Sequence, residues 1–138
     1  MEIKNYDELV NLVERSKNVV VCSVDQDGFP NAKAMFNRKS DKLNTFYFST
    51  NVSAKRTTQF SKNANASIYF FDQETFQGLM LVGKMTVCTD RKTKAVLWQE
   101  GDEVYYPAGI DDEDYCVLKF EAKKGNYYHG LENFNFEI

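Results

Sequence analysis

The feature that most constrains the fold is a succession of short segments with β-strand character, separated by brief turns. The segments are rich in β-branched and aromatic residues, or they alternate between apolar and polar residues, and both patterns are typical of strands. They cover residues 19–24, 31–37, 45–50, 66–71, 78–89 and 115–122. Consecutive strands with short turns predict one antiparallel sheet, which hides its edges best when it curls into a barrel.

Three helical segments flank these strands. Residues 5–17 predict a helix with Asn5 as the cap and Glu8 completing a capping box. Residues 53–62 predict a second helix with Ser53 as its N-cap, and residues 90–98 predict a third. Residues 101–114 are acidic and irregular, and residues 123–126 predict a turn. We therefore expect a single mainly β domain over residues 1–138, with six antiparallel strands and peripheral helices.

Charge and cysteine content exclude several classes of protein. The formal charge is −3, which gives no global reason to bind nucleic acid. No apolar run approaches the roughly 18 residues that a membrane-spanning helix needs, and the first residues do not resemble a signal peptide. Three widely spaced cysteines without a Cys-x-x-Cys pair indicate reduced core residues in a cytoplasmic protein and no metal site.

One local pattern indicates an anion site. If Ser53 caps the second helix, Lys55 and Arg56 fall in its first turn, where positive charge opposes the helix dipole. Free helix N–H groups, a hydroxyl and two cationic side chains together suit a phosphate group. The alternative interpretation is a solvated basic turn with a small energetic cost.

Two further features are less specific. Gly78 and Gly83 lie within one predicted strand and indicate either bends or the close approach of a ligand. His129 is the only histidine, so the residues give no hydrolase constellation and no identifiable catalytic acid or base.

Several stretches, taken in order, resemble a known family. They are the N-terminal helix, residues 19–30, the strand that ends at Arg38, residues 46–51, and the Ser-x-Lys-Arg-x-x-Gln pattern of residues 53–59. Their order and spacing resemble the FMN-binding split-barrel family of pyridoxamine 5′-phosphate oxidase-like proteins, and especially its short general-stress-protein branch. The resemblance covers nearly the whole chain and implies a six-stranded antiparallel split β-barrel.

The resemblance also implies a cofactor and its contacts. FMN would lie between the two subunits of a homodimer, with its phosphate at the second helix and its isoalloxazine ring along residues 33–38. The implied contacts are Lys33, Ala34, Met35, Phe36, Ser49, Thr50, Ser53, Lys55, Arg56, Gln77, Gly78 and Tyr128. The implied activity is that of a small FMN-dependent oxidoreductase acting on a small-molecule redox substrate.

The C-terminal region departs from the pyridoxamine-phosphate oxidases. Those enzymes carry a Trp-Gln-Gly-like motif followed by an Arg-Leu-His segment that holds the substrate phosphate. Here the motif reads Tyr128, His129, Gly130, and no arginine follows it. We therefore expect a flavoprotein that is not a true pyridoxamine-phosphate oxidase. The alternatives are a non-catalytic flavin-binding or stress-response protein, or a haem or deazaflavin binder on the same fold.

Overall fold

The computed structural model describes residues 2–138. Its helices are α1 (Tyr6–Arg15), α2 (Lys55–Lys62) and α3 (Arg91–Leu97), and two 3₁₀ turns cover Asp102–Val104 and Gly109–Asp111. Its strands are β1 (Asn18–Val24), β2 (Pro30–Phe36), β3 (Lys39–Asp41), β4 (Thr45–Asn51), β5 (Asn65–Asp72), β6 (Gln77–Cys88), β7 (Tyr115–His129) and β8 (Glu132–Glu137).

The strands form one antiparallel sheet in the order β2-β1-β5-β6-β7-β4-β3, with β8 paired to β7. The sheet curls until β2 and β4, which lie near its two ends, approach each other without forming a ladder. The result is a half-barrel that is open along one side. The predicted fold class, a mainly β split barrel with flanking helices, is confirmed.

Across residues 2–138 the sheet contains eight strands rather than the six predicted from the sequence. The additional strands are the short β3 and the C-terminal β8. The predicted turn at residues 123–126 is wrong, because β7 continues through it to His129. Lys123 is instead the extra residue of a bulge, since Val82 pairs with Lys124 whereas Gly83 pairs with Ala122. The bulge lies where the outer neighbour of β7 changes from β4 to β8.

Two of the predicted helix caps are also wrong. Asn5 occupies the N-cap position of α1 but makes no side-chain capping bond, and the Glu8 carboxylate bonds to β7 instead. Helix α2 begins at Lys55 with Ala54 at its N-cap, because Ser53 is bonded to Asp114. The third helix is capped by Asp90, whose side chain accepts a hydrogen bond from the Thr93 N–H.

The core fills the inner side of the half-barrel. Alternate residues of the strands point inward, as in β4, where Phe46 and Phe48 are fully buried. Leu9, Leu12 and Val13 of α1 close this core from one side. A second, smaller cluster around Tyr106, Tyr115 and Leu97 packs α3 against β7. In the part of the chain that the structure describes, every helix is too short or too polar to cross a membrane.

Candidate functional site

A cleft lies where the two ends of the sheet approach each other. Its volume is about 430 Å³. Residues from β2 form one wall, and residues from β4 and the start of α2 form the other. The cleft is lined by Asn18, Ala34, Met35, Phe36, Arg38, Ser49, Thr50, Asn51, Arg56, Tyr105 and Tyr106.

Three polar atoms of the cleft lack a hydrogen-bond partner. Ser49 Oγ, Thr50 Oγ1 and Arg56 Nε are buried, and within residues 2–138 none of them is bonded. Arg56 forms no ion pair with a carboxylate of these residues either. Buried polar groups are almost always paired, and leaving one unpaired costs about 1–3 kcal/mol. Two hydroxyls and a guanidinium with free bonding capacity are the donors that an oxyanion such as phosphate requires.

The two basic residues of α2 take different places. Arg56 reaches into the cleft, whereas Lys55 is exposed and lines a separate surface depression beside Asp25 and Asp27. The backbone N–H groups of both residues begin the helix and have no acceptor among the described residues. The first turn of α2 therefore offers the cleft one cationic side chain rather than two.

Ser53 lies outside the cleft. Its backbone N–H and its hydroxyl both donate to the Asp114 carboxylate, at 2.9 Å and 3.0 Å. Asn51 donates to the same carboxylate at 2.7 Å. The hydrogen bonds from Asn51 and Ser53 hold the pKa of Asp114 below its ordinary value. Asp114 thus secures the loop that positions α2 next to the cleft.

Strand β2 presents its free backbone edge to the opening of the half-barrel. The bonds from Asp25 N to Phe29 O and from Asn37 N to Lys17 O show which residue pairs of the β1–β2 ladder are hydrogen-bonded to each other. In an antiparallel ladder alternate residues bond inward and outward. Ala34 and Phe36 therefore direct their N–H and C=O groups away from β1. The Met35 side chain is buried, and Lys33 is exposed outside the cleft.

Sequence reasoning missed the third wall, which residues after β2 and in the irregular acidic stretch supply. Arg38 donates two hydrogen bonds to Asp102, at 2.7 Å and 2.9 Å, and both side chains are almost fully buried. Burial alone would raise the pKa of Asp102, but the bonds from Arg38 and from the Gln99 N–H outweigh it, and the pKa is lowered. Burial raises the pKa of Tyr106 to about 12. The only feature of the sequence that could have indicated this wall is the pair of adjacent tyrosines, Tyr105 and Tyr106.

Gln77 belongs to a polar network at the far end of the β6–β7 ladder and does not line the cleft. Its amide nitrogen donates to Tyr127 Oη at 2.8 Å, and its amide oxygen accepts a bond from Arg15 at 2.6 Å. The Glu8 carboxylate accepts a hydrogen bond from the Tyr127 hydroxyl at 2.5 Å. It also lies 2.7 Å from His129 Nδ1, which donates to it in the tautomer that carries a proton on this nitrogen. These residues, Glu8, Arg15, Gln77, Tyr127 and His129, are called the Glu8 network below, and they join α1 to the sheet.

Gly78 and Tyr128 lie on the exterior of the sheet, paired with each other across β6 and β7. The absence of a side chain at Gly78 is required by this pairing, since a Cβ there would stand 2.2 Å from the Tyr128 ring. Tyr128 is hydrogen-bonded to Tyr69 through the two hydroxyls at 2.6 Å. Within one chain the predicted site residues therefore do not form a single site. Those that line the cleft are Ala34, Met35, Phe36, Ser49, Thr50 and Arg56. Lys33, Ser53 and Lys55 lie outside the cleft, and Gln77, Gly78 and Tyr128 lie at the other end of the β6–β7 ladder.

Comparison with known proteins identifies the family. Residues 4–136 match the family model described as "Pyridoxamine 5′-phosphate oxidase like". The chain belongs to this family. No curated protein matches the chain. The recognition made from the order and spacing of the sequence motifs is confirmed.

Three solved structures are similar in fold to this chain. A Clostridium acetobutylicum protein related to general stress protein 26 is 45% identical, with 100% of this chain and 97% of that chain covered and a TM-score of 0.88. A pyridoxamine 5′-phosphate oxidase-related, FMN-binding protein from Nostoc punctiforme is 13% identical, with 94% and 84% covered and a TM-score of 0.74. A haem-binding protein from Mycobacterium smegmatis is 13% identical, with 99% and 59% covered and a TM-score of 0.79.

In this member of the pyridoxamine 5′-phosphate oxidase-like family, the residues that follow Gly130 form a strand and include no lysine or arginine. Residues after Gly130 form β8, which pairs along β7. His129, the only histidine of the chain, bonds to Glu8 and does not line the cleft.

Proposed function

We propose that this protein is an FMN-binding flavoprotein and that the cleft is its cofactor site. The observation that carries the proposal is the set of three buried, unpaired polar atoms, Ser49 Oγ, Thr50 Oγ1 and Arg56 Nε. A phosphate monoester provides acceptors for donors of this kind, and the free N–H groups at the start of α2 add favourable dipoles. Riboflavin, which lacks the phosphate, would leave these groups unpaired.

The flavin ring would lie along β2. The free N–H and C=O groups of Ala34 and Phe36 form the alternating donor and acceptor edge that a flat heterocycle with amide-like groups can match. Bound FMN would supply hydride and electron transfer chemistry, so the protein acts as a small oxidoreductase whose residues bind and orient the cofactor.

The charge of the cleft disfavours a second phosphorylated ligand. Arg38 is neutralised by Asp102, which leaves Arg56 as the only cleft-lining cation without a carboxylate partner in residues 2–138. If Arg56 holds the cofactor phosphate, the phosphate of pyridoxamine 5′-phosphate finds no counter-charge, and burying an unpaired anion is costly. A flat uncharged acceptor or a nicotinamide ring suits this cleft better.

A homodimer would cover an apolar surface on the outside of the sheet. The exterior face consists of Val20, Phe36, Tyr69, Phe71, Phe76, Met80 and Tyr128, which lie on neighbouring strands β2, β1, β5, β6 and β7 and on the β5–β6 turn. Five of these seven large side chains are more than a third exposed. Contiguous apolar faces of this kind are typical of protein interfaces.

The exterior face is continuous with the cleft, because Phe36 belongs to both. A second copy seated on this face would therefore border the cleft. This supports the expectation from the resemblance that FMN lies between subunits, with Gly78 and Tyr128 contributed by the partner copy.

Titration of the purified wild-type protein with FMN, riboflavin and haemin tests the cofactor. We expect FMN to bind with a flavin absorbance spectrum and about tenfold or more tighter than riboflavin, since charge-assisted phosphate contacts contribute about 1.5–3 kcal/mol. Equal affinity for FMN and riboflavin would exclude the phosphate site. A Soret band, with no flavin binding, would favour the haem alternative.

A charge placed on the exterior face tests the dimer. Val20→Lys inserts an ammonium group at the middle of the face and is expected to convert a dimer of about twice 16.0 kDa into a monomer in light scattering. Val96→Lys is the matched control, since Val96 is an exposed valine on α3, away from the face. A wild-type monomer that binds FMN fully would contradict the interface.

The reaction class is tested with the FMN-loaded protein. We expect oxidation of NADH or NADPH with a quinone acceptor, and background rates with pyridoxamine 5′-phosphate. Rapid formation of pyridoxal 5′-phosphate would show that another cation replaces the missing arginine.

A further inference from the structure

The loop of residues 101–107, here called the tyrosine loop, joins the two ends of the split sheet. On one side Asp102 holds Arg38, which follows β2. On the other side Tyr106 packs on Tyr115, with ring centroids 4.7 Å apart, and Tyr115 pairs with Asn51 of β4. The loop therefore crosses the opening in which the cleft lies.

The attachment of the loop is rigid and buried. Asp102 is 3% exposed, and its carboxylate also accepts a bond from the Gln99 N–H at 2.9 Å. Paired charges that are buried cost desolvation energy, which only a close bidentate geometry offsets. The two hydrogen bonds of the buried ion pair therefore fix the position of the loop relative to Arg38.

The side chain of Tyr105 takes no part in this attachment of the loop. It lines the cleft but is 60% exposed, and its side chain makes no hydrogen bond within residues 2–138. Its aromatic neighbour is Tyr106, with ring centroids 6.4 Å apart. Val104, next to it, is also exposed, but it does not line the cleft.

We propose that the tyrosine loop is the ring-binding wall of the cleft, in which Tyr105 contacts the flat aromatic part of the ligand and Asp102 is a positioning residue that holds Tyr105 in place through Arg38. The proposal rests on the proposed function, because it takes the isoalloxazine ring as that flat part. Arg56 then recognises the phosphate and Tyr105 the ring, so the two ends of one ligand are bound independently.

The chemistry of Tyr105 suits this role. An aromatic side chain with one face free stacks on a flat heterocycle and gains energy beyond the area that it buries. Such stacking on aromatic side chains is worth about 1–3 kcal/mol per ring when the side chain is removed. Tyrosine also loses little conformational entropy when it is held, since it has only two side-chain torsions.

The test compares Tyr105→Leu with Tyr105→Phe. Because the Tyr105 contact involves the ring and not the phosphate, Tyr105→Leu should weaken FMN and riboflavin by the same factor, about tenfold. Tyr105→Phe keeps the ring and should retain wild-type affinity for both. Tyrosine beside a flavin quenches its fluorescence, so bound riboflavin should also become brighter in Tyr105→Leu. Both substitutions are at an exposed side chain and leave the fold intact.

The positioning role is tested with Asp102→Glu, alone and combined with Tyr105→Leu. This change moves the attachment by one methylene and keeps the charge that neutralises Arg38, so the cleft gains no free cation for the phosphate. Asp102→Glu should weaken both flavins equally and brighten bound riboflavin, and the double variant should bind no more weakly than Tyr105→Leu alone. Should Asp102→Glu fail to fold, Arg38→Lys keeps both charges, loses the two-bond geometry and must give the same pattern. Additive losses would overturn the role of Asp102.

The outcomes separate this proposal from the proposed function. If Tyr105→Leu changes neither affinity, or weakens FMN alone, the ring-binding wall is wrong although the flavin site stands. If wild type binds neither flavin, both proposals fail together.

Discussion

The cleft and the Glu8 network both contain buried polar side chains along the same sheet, but they differ in whether those side chains have hydrogen-bond partners. In the network, Glu8, Gln77 and Tyr127 bond to one another, and Gln77 is further held by Arg15 and Thr75. In the cleft, Ser49 Oγ, Thr50 Oγ1 and Arg56 Nε have no partner in the described part of the chain.

The difference shows what each region contributes. A fully bonded polar network stabilises the protein alone, and here it fastens α1 to β6 and β7. Unpaired buried groups cost stability in the free protein and are expected to recover that cost when a ligand arrives. Substitutions in the network should therefore change the free energy of unfolding, whereas substitutions in the cleft should change the affinity for FMN.

The largest effect is expected from Arg56→Gln. Removing the only cleft-lining cation that has no carboxylate partner in residues 2–138 should weaken FMN by about 40-fold, near the middle of the range for charged hydrogen bonds of about 1.5–3 kcal/mol. Lys55→Gln, the neighbouring residue with the same change of charge, is the control and should alter affinity by less than about threefold, since Lys55 faces away from the cleft. Isothermal titration measures both, and equal losses would break the distinction between the two residues.

A smaller effect, on stability and not on FMN affinity, is expected from Tyr127→Phe. This variant loses the bonds to Glu8 and Gln77 and leaves a buried amide donor unsatisfied, so the free energy of unfolding should fall by about 1.5 kcal/mol. The ratio of FMN to riboflavin affinity should not change. Urea unfolding of the ligand-free protein measures the first quantity. A variant as stable as wild type would show that the network contributes no stability.

Thr50→Val, in the cleft, should lower the affinity for FMN without lowering the stability of the ligand-free protein. It removes an unpaired buried hydroxyl with little change of shape, so the ligand-free protein should be as stable as wild type or more stable. The affinity for FMN should fall about fivefold, since one neutral hydrogen bond to the ligand is worth about 1 kcal/mol. A loss of stability without a loss of affinity would mean that Thr50 belongs with the structural residues.

The smallest effect concerns the pH dependence of the Glu8 network. The hydrogen bond from Tyr127, opposed by partial burial and helped by His129, holds the pKa of Glu8 below its ordinary value of 4.5. A carboxylate with a lowered pKa stabilises the fold above its unfolded pKa, and this contribution is lost as the pH falls through its folded pKa.

Unfolding of wild type and Glu8→Gln in parallel isolates that contribution. The difference in unfolding free energy should shrink as the pH falls below the ordinary pKa of glutamate. The other carboxylates titrate in both proteins and cancel. A difference that does not depend on pH would show that Glu8 interacts with its partners without its charge.

The sequence was sufficient to predict the parts of the fold that depend on local patterns. The six predicted strands correspond to β1, β2, β4, β5, β6 and β7, because alternation and β-branched runs are properties of single segments. It was insufficient where tertiary partners decide. Lys123 and Gly125 are turn residues by composition, but they lie in β7 because the bulge at Lys123 lets one strand change partners from β4 to β8.

The same distinction applies to the site. The charge pattern predicts an anion site at α2, but the sequence could not assign Lys55 and Arg56 to different surfaces, since this depends on how the helix is rotated against the sheet. Ser53 has the composition of a cap, but Asp114, distant in sequence, binds it. The tyrosine loop could not be connected to Arg38 before the fold brought residues 38 and 102 together.

The most direct test of the central claim, that the unpaired groups of the cleft bind the cofactor phosphate, is the NMR signal of the Arg56 Nε–H group. The signal is assigned by its loss in Arg56→Lys, and it is then followed in the wild-type protein during titration with FMN and with riboflavin. The account predicts a downfield shift with FMN and almost none with riboflavin, because a charge-assisted bond forms only with the phosphate. An identical response to both ligands, or none to either while both bind, would contradict it.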